Sequence, residues 1–394
     1  MPRPDDDHTG ARIKEQRKLA RLTQRELADR IPFSYSYLSQ VEHGARPATV
    51  DLVAAVAHAL RVDVTTLTGQ PYVTELQQDR LAALVRPIRE ALDLYDLGAA
   101  PDLTVRPAEQ LVAAADGLCR TVRATKLRNA ALVLPGLIAE LTTAAWTAPS
   151  TELWLALGST YRSAHDIAVK LGYYDLSSVA LDRMEWAAAR ASDPQLAAVR
   201  QYMRALVYFR EGDNGIGLRL VSSGHGLLAQ AEPGRDTTAV CGQLHLGASV
   251  LAARARNASL AAEHLTEAEA CAAQIGDASD VHWLSFGPAN AALHRMSAAV
   301  EMRNYGAALT QAKTIRLPAD MAVSRRAHFL IDRARCEMET GRAESALGSL
   351  VEARRTAPEQ TRYHPGARET ISGLVHAARR APESLTGMAN WVGL

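Results

Sequence analysis

From Pro107 to about Arg380, apolar residues recur with helical spacing in one segment after another. Gly, Pro and Asp-Pro interrupt them at roughly 15–20-residue intervals, the period expected of stacked helical hairpins. No segment shows the alternation of a strand. A chain patterned this way buries its apolar faces by stacking helix on helix. Composition agrees where it bears on this point: roughly 70 of the 394 residues are Ala and only 5% are aromatic. Ala is the strongest helix former and its small side chain lets helices approach closely. The expected fold is all-α, and a β-sandwich or barrel is excluded.

Within the helical run one spacing recurs. Gly341, Ala346, Leu350, Ala353 and Pro358 would end a first helix, admit close packing along a second, and stop it. This resembles the second half of the tetratricopeptide consensus. Trp154, Leu157, Gly158 and Tyr161 resemble its first helix, and Ala205, Tyr208, Gly212 and Asp213 form a third register. Fainter copies are Leu246-Gly247 with Ala261 and Ala268, and Asn304-Tyr305 with Ala308 and Ala312. The expected organisation is a tail over 1–10, a compact domain over 11–71 and a tetratricopeptide-like solenoid over 72–394, the break falling at Gly69-Gln-Pro-Tyr72.

Residues 11–69 hold five short helical patterns. Thr23 with Glu26 three residues on is a capping box. Leu27, Ala28 and Ile31 give that helix one apolar side, Pro32-Phe33 makes a turn, and Ser34 caps a second helix with Leu38 and Val41 inward. Two short helices joined by a tight turn form a helix-turn-helix unit. The series Arg17, Leu22-Thr23-Gln24, Glu26-Leu27-Ala28, Ser34, Leu38-Ser39, Val41-Glu42, Gly44 and Arg46-Pro47 resembles the Cro/repressor-type (XRE) family. The resemblance implies that Ser34 to Glu42 is the helix that enters the major groove. It places Gln24 at a phosphate-clamping position and Ser34, Tyr35, Ser36 and Tyr37 at the end that faces base edges. Ser39 and Gln40 lie further along, and Gln40 has the chemistry to read adenine. His43 and Arg46 fall in the loop that touches the DNA backbone, and Arg17 with Glu42 match a buried ion pair. Leu19, Leu27, Ala28, Leu38, Val41, Leu52, Val56 and Leu60 are the expected core. Tyr35 and Tyr37 either work in the groove or pack back on the domain. Arg21 and Pro32 stand where the family usually has Gly.

The whole chain is nearly neutral, with 44 basic and 43 acidic residues, so any nucleic-acid surface must be local. Arg12, Lys14, Arg17, Lys18, Arg21 and Arg25 face only Glu15 between residues 12 and 25, which suits phosphate contact. In the solenoid, the repeat alignment turns Glu152, Ser159 and Arg162, then Tyr202, Phe209 and Arg210, then Asn290, Ser297 and Glu301, then His328, Arg335 and Glu339 toward the concave face. These are the candidate ligand residues. Trp283-Leu-Ser-Phe286 is an apolar insertion that either lines a pocket or fills a core.

The four cysteines form no CxxC pair, helix 264–269 shows no metal-ligand spacing, and no metal site or cofactor is expected. HExxH, GxxxxGK[ST] and GxSxG motifs are absent, and Gly215-Ile-Gly217 lacks a third Gly, so no enzyme is expected. No signal peptide stands at the N-terminus, and the longest apolar stretch, 130–139, reads as too short to span a bilayer. These features suit a cytoplasmic protein with no membrane partner. Pairing an XRE domain with a tetratricopeptide-like domain is similar to the peptide-pheromone receptors of Gram-positive bacteria and to actinobacterial regulators. The resemblance implies a homodimeric transcription regulator that binds a DNA operator and senses a peptide or small molecule in its solenoid. The alternative is a protein–protein adaptor tethered to DNA by its small domain.

Overall fold

A computed structural model describes residues 8–69, 75–378 and 382–394, with the backbone alone for 75–82. The expected boundary at 71/72 lies outside the described residues. These form twenty-one α-helices and no strand beyond a single bridge between Ala278 and Phe286.

The first five helices are α1 (Thr9–Leu19), α2 (Gln24–Ala28), α3 (Tyr35–Glu42), α4 (Val50–Leu60) and α5 (Val64–Thr68). Helix α1 begins inside the stretch expected as a tail, because His8 caps it by accepting from the Ala11 N–H at 3.1 Å. The Thr23–Glu26 capping box is present, with Thr23 N–H donating to Glu26 Oε2 at 2.7 Å. Ser34 caps α3 through the Tyr37 N–H at 3.2 Å. Ile13, Leu27, Leu38, Val41, Leu52, Val56 and Leu67 form the core of this unit. Leu19 is a correction: it is 69% exposed. Gly10, Ile13 and Arg17 are the buried positions of α1, and Leu19 falls on the opposite side of the helix. Arg21, at the position usually held by Gly, adopts a left-handed φ of 57°.

Helices α6 (Glu75–Asp93), α7 (Ala108–Arg123) and α8 (Leu127–Thr147) lead into the repeats. By length and composition α8 could cross a membrane, contrary to the expectation from the shorter 130–139 stretch. Half of its most apolar window is buried in the protein and Pro135 lies within it, as in a packed helix of a helical core.

Five helix pairs then follow one another: α9 (Thr151–Leu171) with α10 (Tyr174–Ala191), α11 (Pro194–Glu211) with α12 (Asn214–Leu228), α13 (Arg235–Arg254) with α14 (Ala258–Ile275), α15 (Pro288–Glu301) with α16 (Tyr305–Thr314), and α17 (Val323–Glu339) with α18 (Ala343–Thr356). Each pair matches one sequence register. The turn inside every pair passes through a left-handed residue: Gly172, Gly212, Arg256, Arg303 and Gly341, with φ between 59° and 88°. Gly158 lies so close to the next pair that a Cβ there would meet Leu196 at 2.5 Å. The solenoid has two cores, one from Val85 to Ala298 and one from Leu293 to Val392. Helices α19 (Pro358–Tyr363), α20 (Pro365–Ala377) and α21 (Glu383–Val392) close its far end. The 283–286 insertion fills core: Phe286 and Leu284 are buried, whereas Trp283 donates from Nε1 to Asp116 at 3.3 Å.

Candidate nucleic-acid interface and central cavity

The recognition helix is held from below. Arg17 donates from Nε and Nη2 to the two carboxylate oxygens of Glu42 at 2.7 and 2.8 Å, and from Nη1 to the Leu22 carbonyl at 2.7 Å. The Glu42 side chain is fully buried and that of Arg17 is 9% exposed. Gln24 joins the cluster by donating from Nε2 to Glu42 Oε2 at 2.7 Å. One amide hydrogen of Gln24 is thereby fixed, and Glu42 aims the rest of the side chain. The pair ties α1 to the C-terminal end of α3, and a fork-to-carboxylate bond of this kind has little angular freedom.

The upper surface of α3 is polar and open. Ser34, Tyr35, Ser36, Gln40, His43 and Arg46 are exposed, and Ser39 is half-buried. Gln40 Nε2 approaches Ser36 Oγ at 3.5 Å, so the two side chains share one patch of this open face. His43 turns back on its helix, its Nδ1 2.7 Å from the Ser39 carbonyl. The two tyrosines part company. Tyr37 packs back on the domain, stacked on Phe33 at 5.6 Å with the Arg46 guanidinium 5.7 Å from its ring. Tyr35 stands outward, 49% exposed.

A second concavity lies between this unit and the solenoid. It is a cavity of about 360 Å³ walled by α9, α11, α13, α15, α17 and α20, with Val50 and Val53 of α4 and Val64 and Thr68 of α5 completing the wall. Of the residues aligned to the concave face, Tyr202, Phe209, Arg210, Ser297, Glu301, His328 and Arg335 line it. The remaining five lie elsewhere. Ser159 faces α7, where its carbonyl accepts from the Cys119 thiol at 3.8 Å. Arg162 is buried beneath the insertion and donates from Nη2 to the Trp283 carbonyl at 3.2 Å. Asn290 sits one step behind the wall, donating to Gln243, which in turn donates to the Tyr202 hydroxyl at 2.8 Å. Glu339 is the last residue of α17 and is exposed beyond the cavity. Glu152 is exposed at the start of α9 and takes no part either.

The cavity also holds groups that the sequence reading did not find. Arg123 pairs with Asp166 at 2.6 Å and Arg254 with Glu301 at 2.8 Å. Burial opposes the Asp166 charge, but Arg123 and Arg162 outweigh it and hold the carboxyl well below its ordinary range. Burial lowers Lys170 to about 8 and raises Glu369 to about 7. Burial also keeps His165 and His294 neutral, at about 4 and about 3. Arg325, His328, Asp332 and Arg335 form one polar stripe on α17, spaced 3, 4 and 3. That stripe was the available signal, since polar residues at helical spacing on a repeat's inner helix mark a lined groove.

The two units meet at a few defined points. Asp51 at the start of α4 accepts from Arg303 at 2.7 Å and from Arg256 at 3.4 Å. His376 Nε2 lies 2.6 Å from the Gly44 carbonyl, in the loop that follows α3.

The helix-turn-helix family matches residues 13–67. An uncharacterized HTH-type transcriptional regulator of Mycobacterium tuberculosis is 43% identical over 58 residues, 15% of this chain and 41% of that one. The propionyl-CoA carboxylase regulator of Cereibacter sphaeroides is 36% identical over 84 residues, 21% of this chain and 17% of that one. This chain therefore spans less than half the length of these relatives. The structure of Bacillus thuringiensis PlcR in complex with the peptide PapR7 and DNA aligns with 90% of this chain and 99% of that one, at 11% identity and a TM-score of 0.32. A likeness that distant carries no argument. The matched span coincides with α1–α5, their capping box and their buried ion pair: the N-terminal unit is a helix-turn-helix domain of the XRE type.

Proposed function

We propose that the protein is a sequence-specific transcription regulator that binds an operator as a homodimer and whose DNA affinity is set by a ligand in the central cavity. The observation that carries this reading is the shared wall. Helices α4 and α5 belong to the DNA-binding unit, yet Val50, Val53, Val64 and Thr68 face the cavity. A ligand that fills the cavity touches the DNA-binding unit directly, and differential contact is what shifts a conformational equilibrium. Lys170, Arg210 and Arg325 line the cavity with no carboxylate at ion-pair distance among the described residues, so the ligand class is a peptide or small molecule with an anionic group. A single recognition helix reads about half a site, and a dimer supplies the other half about one helical turn away. The solenoid, the larger unit, is the place for dimerisation.

The test selects binding sites for the full chain from random duplexes. Two related half-sites about 10 base pairs apart, centre to centre, are expected. A solution mass of one chain, or binding that stays at the non-specific level on every duplex, overturns the regulator and leaves the adaptor. Mass spectrometry of the native protein checks the cavity. A co-purified anionic molecule that alters operator affinity supports the ligand, and an operator affinity unchanged by its removal refutes it.

A further inference from the structure

Outside the cavity, three neighbouring helices bring nitrogen and sulfur donors together. Cys241 and His245 stand one turn apart on α13 and share a face. His225 comes from α12 and His264 and Cys271 from α14. Cys241 Sγ is 3.8 Å from His225 Nδ1, and the His225 and His245 rings are 4.5 Å apart, centre to centre. One donor atom from each of His225, Cys241 and His245 lies within 4.8 Å of the other two. A tetrahedral zinc ion with bonds of about 2.0–2.3 Å holds its donors roughly 3.3–3.6 Å apart, so side-chain adjustment of about an ångström closes the group.

The surroundings suit a ligand set. His264 Nδ1 lies 3.0 Å from His245 Nδ1, the arrangement in which a second ring orients a ligating imidazole. His225 Nε2 is buried without a partner. Cys271 packs against Gly242, the residue after Cys241, where a Cβ would meet the Cys271 Cβ at 3.0 Å. All five side chains are half-buried, which leaves a path for an ion.

We propose that His225, Cys241 and His245 bind a zinc-class transition-metal ion, with His264 as the positioning residue for His245 and Cys271 beside the fourth coordination position. Mixed imidazole and thiolate donors select Zn(II) and its neighbours over Mg(II) or Ca(II). The ion would link two consecutive helices, α12 and α13, and such binding stabilises the folded chain by mass action.

The experiment titrates Co(II), then Zn(II), into the reduced, chelator-treated full-length protein. One ion per chain is expected, with the thiolate-to-cobalt charge-transfer band of a cysteine ligand, displaced by Zn(II). Cys241→Ser should abolish the band and His225→Ala should weaken binding strongly. His264→Ala should cost about 10–100-fold in affinity, the usual effect of losing an orienting partner. His58→Ala removes an exposed histidine of α4 and should leave cobalt binding unchanged. Absence of the band, its survival in Cys241→Ser, or its loss in His58→Ala overturns the site. Alkylation of Cys241 in the unsubstituted protein provides a second reading: Zn(II) should slow it, and an unchanged rate, or a Cys241–Cys271 disulfide formed in its place, refutes the proposal.

Discussion

The DNA-binding unit and the solenoid place their charges in opposite ways. In α1–α5 most polar side chains point outward, and the buried ion pair, Arg17 with Glu42, spans 25 residues of sequence. In the solenoid a subset of charged groups is drawn inside, and their partners are far apart in sequence: Lys170 reaches Gln360 across 190 residues and Arg162 reaches Trp283 across 121. The first unit is a rigid platform that displays a face. The second is a shell whose inner lining carries the chemistry.

Breaking Glu42 should separate the two units most sharply. Glu42→Ala leaves Arg17 buried without its carboxylate and frees Gln24, a loss of about 3–5 kcal/mol confined to α1–α5. Hydrogen exchange on the full chain should show protection lost in α1–α3 and kept in α9–α18, and operator binding should vanish. Tighter DNA binding would instead make Glu42 a repelling surface charge.

Glu369 sharpens the other side. Its carboxyl titrates at about 7 in the folded protein against 4.5 when free, so the native state holds its proton more tightly. A raised carboxyl pKa contributes stability below the free value, and that contribution fades as pH rises through the folded value. Glu369→Gln should therefore gain stability over the unsubstituted protein as pH rises from 5 to 8, by on the order of 2 kcal/mol. Denaturant midpoints across that range measure it, and parallel curves would place the carboxyl in water.

Smaller effects belong to the displayed face. Ser36→Ala or Gln40→Ala should change which bases are preferred, at about 1–3 kcal/mol per affected position in a selection experiment. Gln24→Ala should weaken all duplexes alike, by about 1 kcal/mol, because a phosphate contact carries no base information. A site-dependent loss would move Gln24 to base readout. Least of all, Asp51→Asn removes two half-exposed ion pairs worth under about 1 kcal/mol together. It should leave the melting point alone while loosening the response of DNA affinity to a cavity ligand.

The difference between the units also explains what could be read from sequence. The helix-turn-helix unit was legible because its devices are local: a capping box three residues long, a cap at Ser34, and an apolar period within each short helix. Of its expected core only Leu19 misled, since its type suits a core but its helix position does not. The five repeat registers were legible for the same reason. The cavity was half legible. Inner-helix spacing found Arg210, His328 and Arg335, but Arg123, Asp166 and Glu369 reach the same space from α7, α9 and α20, which no single helical period connects. The His225, Cys241 and His245 cluster escaped a search for close ligand spacing because its members come from two helices and meet only when these stack.

Arg256 and Arg303 occupy the left-handed turns where the other pairs use Gly, and both reach Asp51. A non-glycine residue in that conformation costs of order 1 kcal/mol or more. Glycine at either turn would relax the backbone and cut a tether at the same stroke. Screening variants for heat resistance alone would favour those replacements, and the chains so obtained would be sturdier while their DNA-binding heads no longer answered to their bodies.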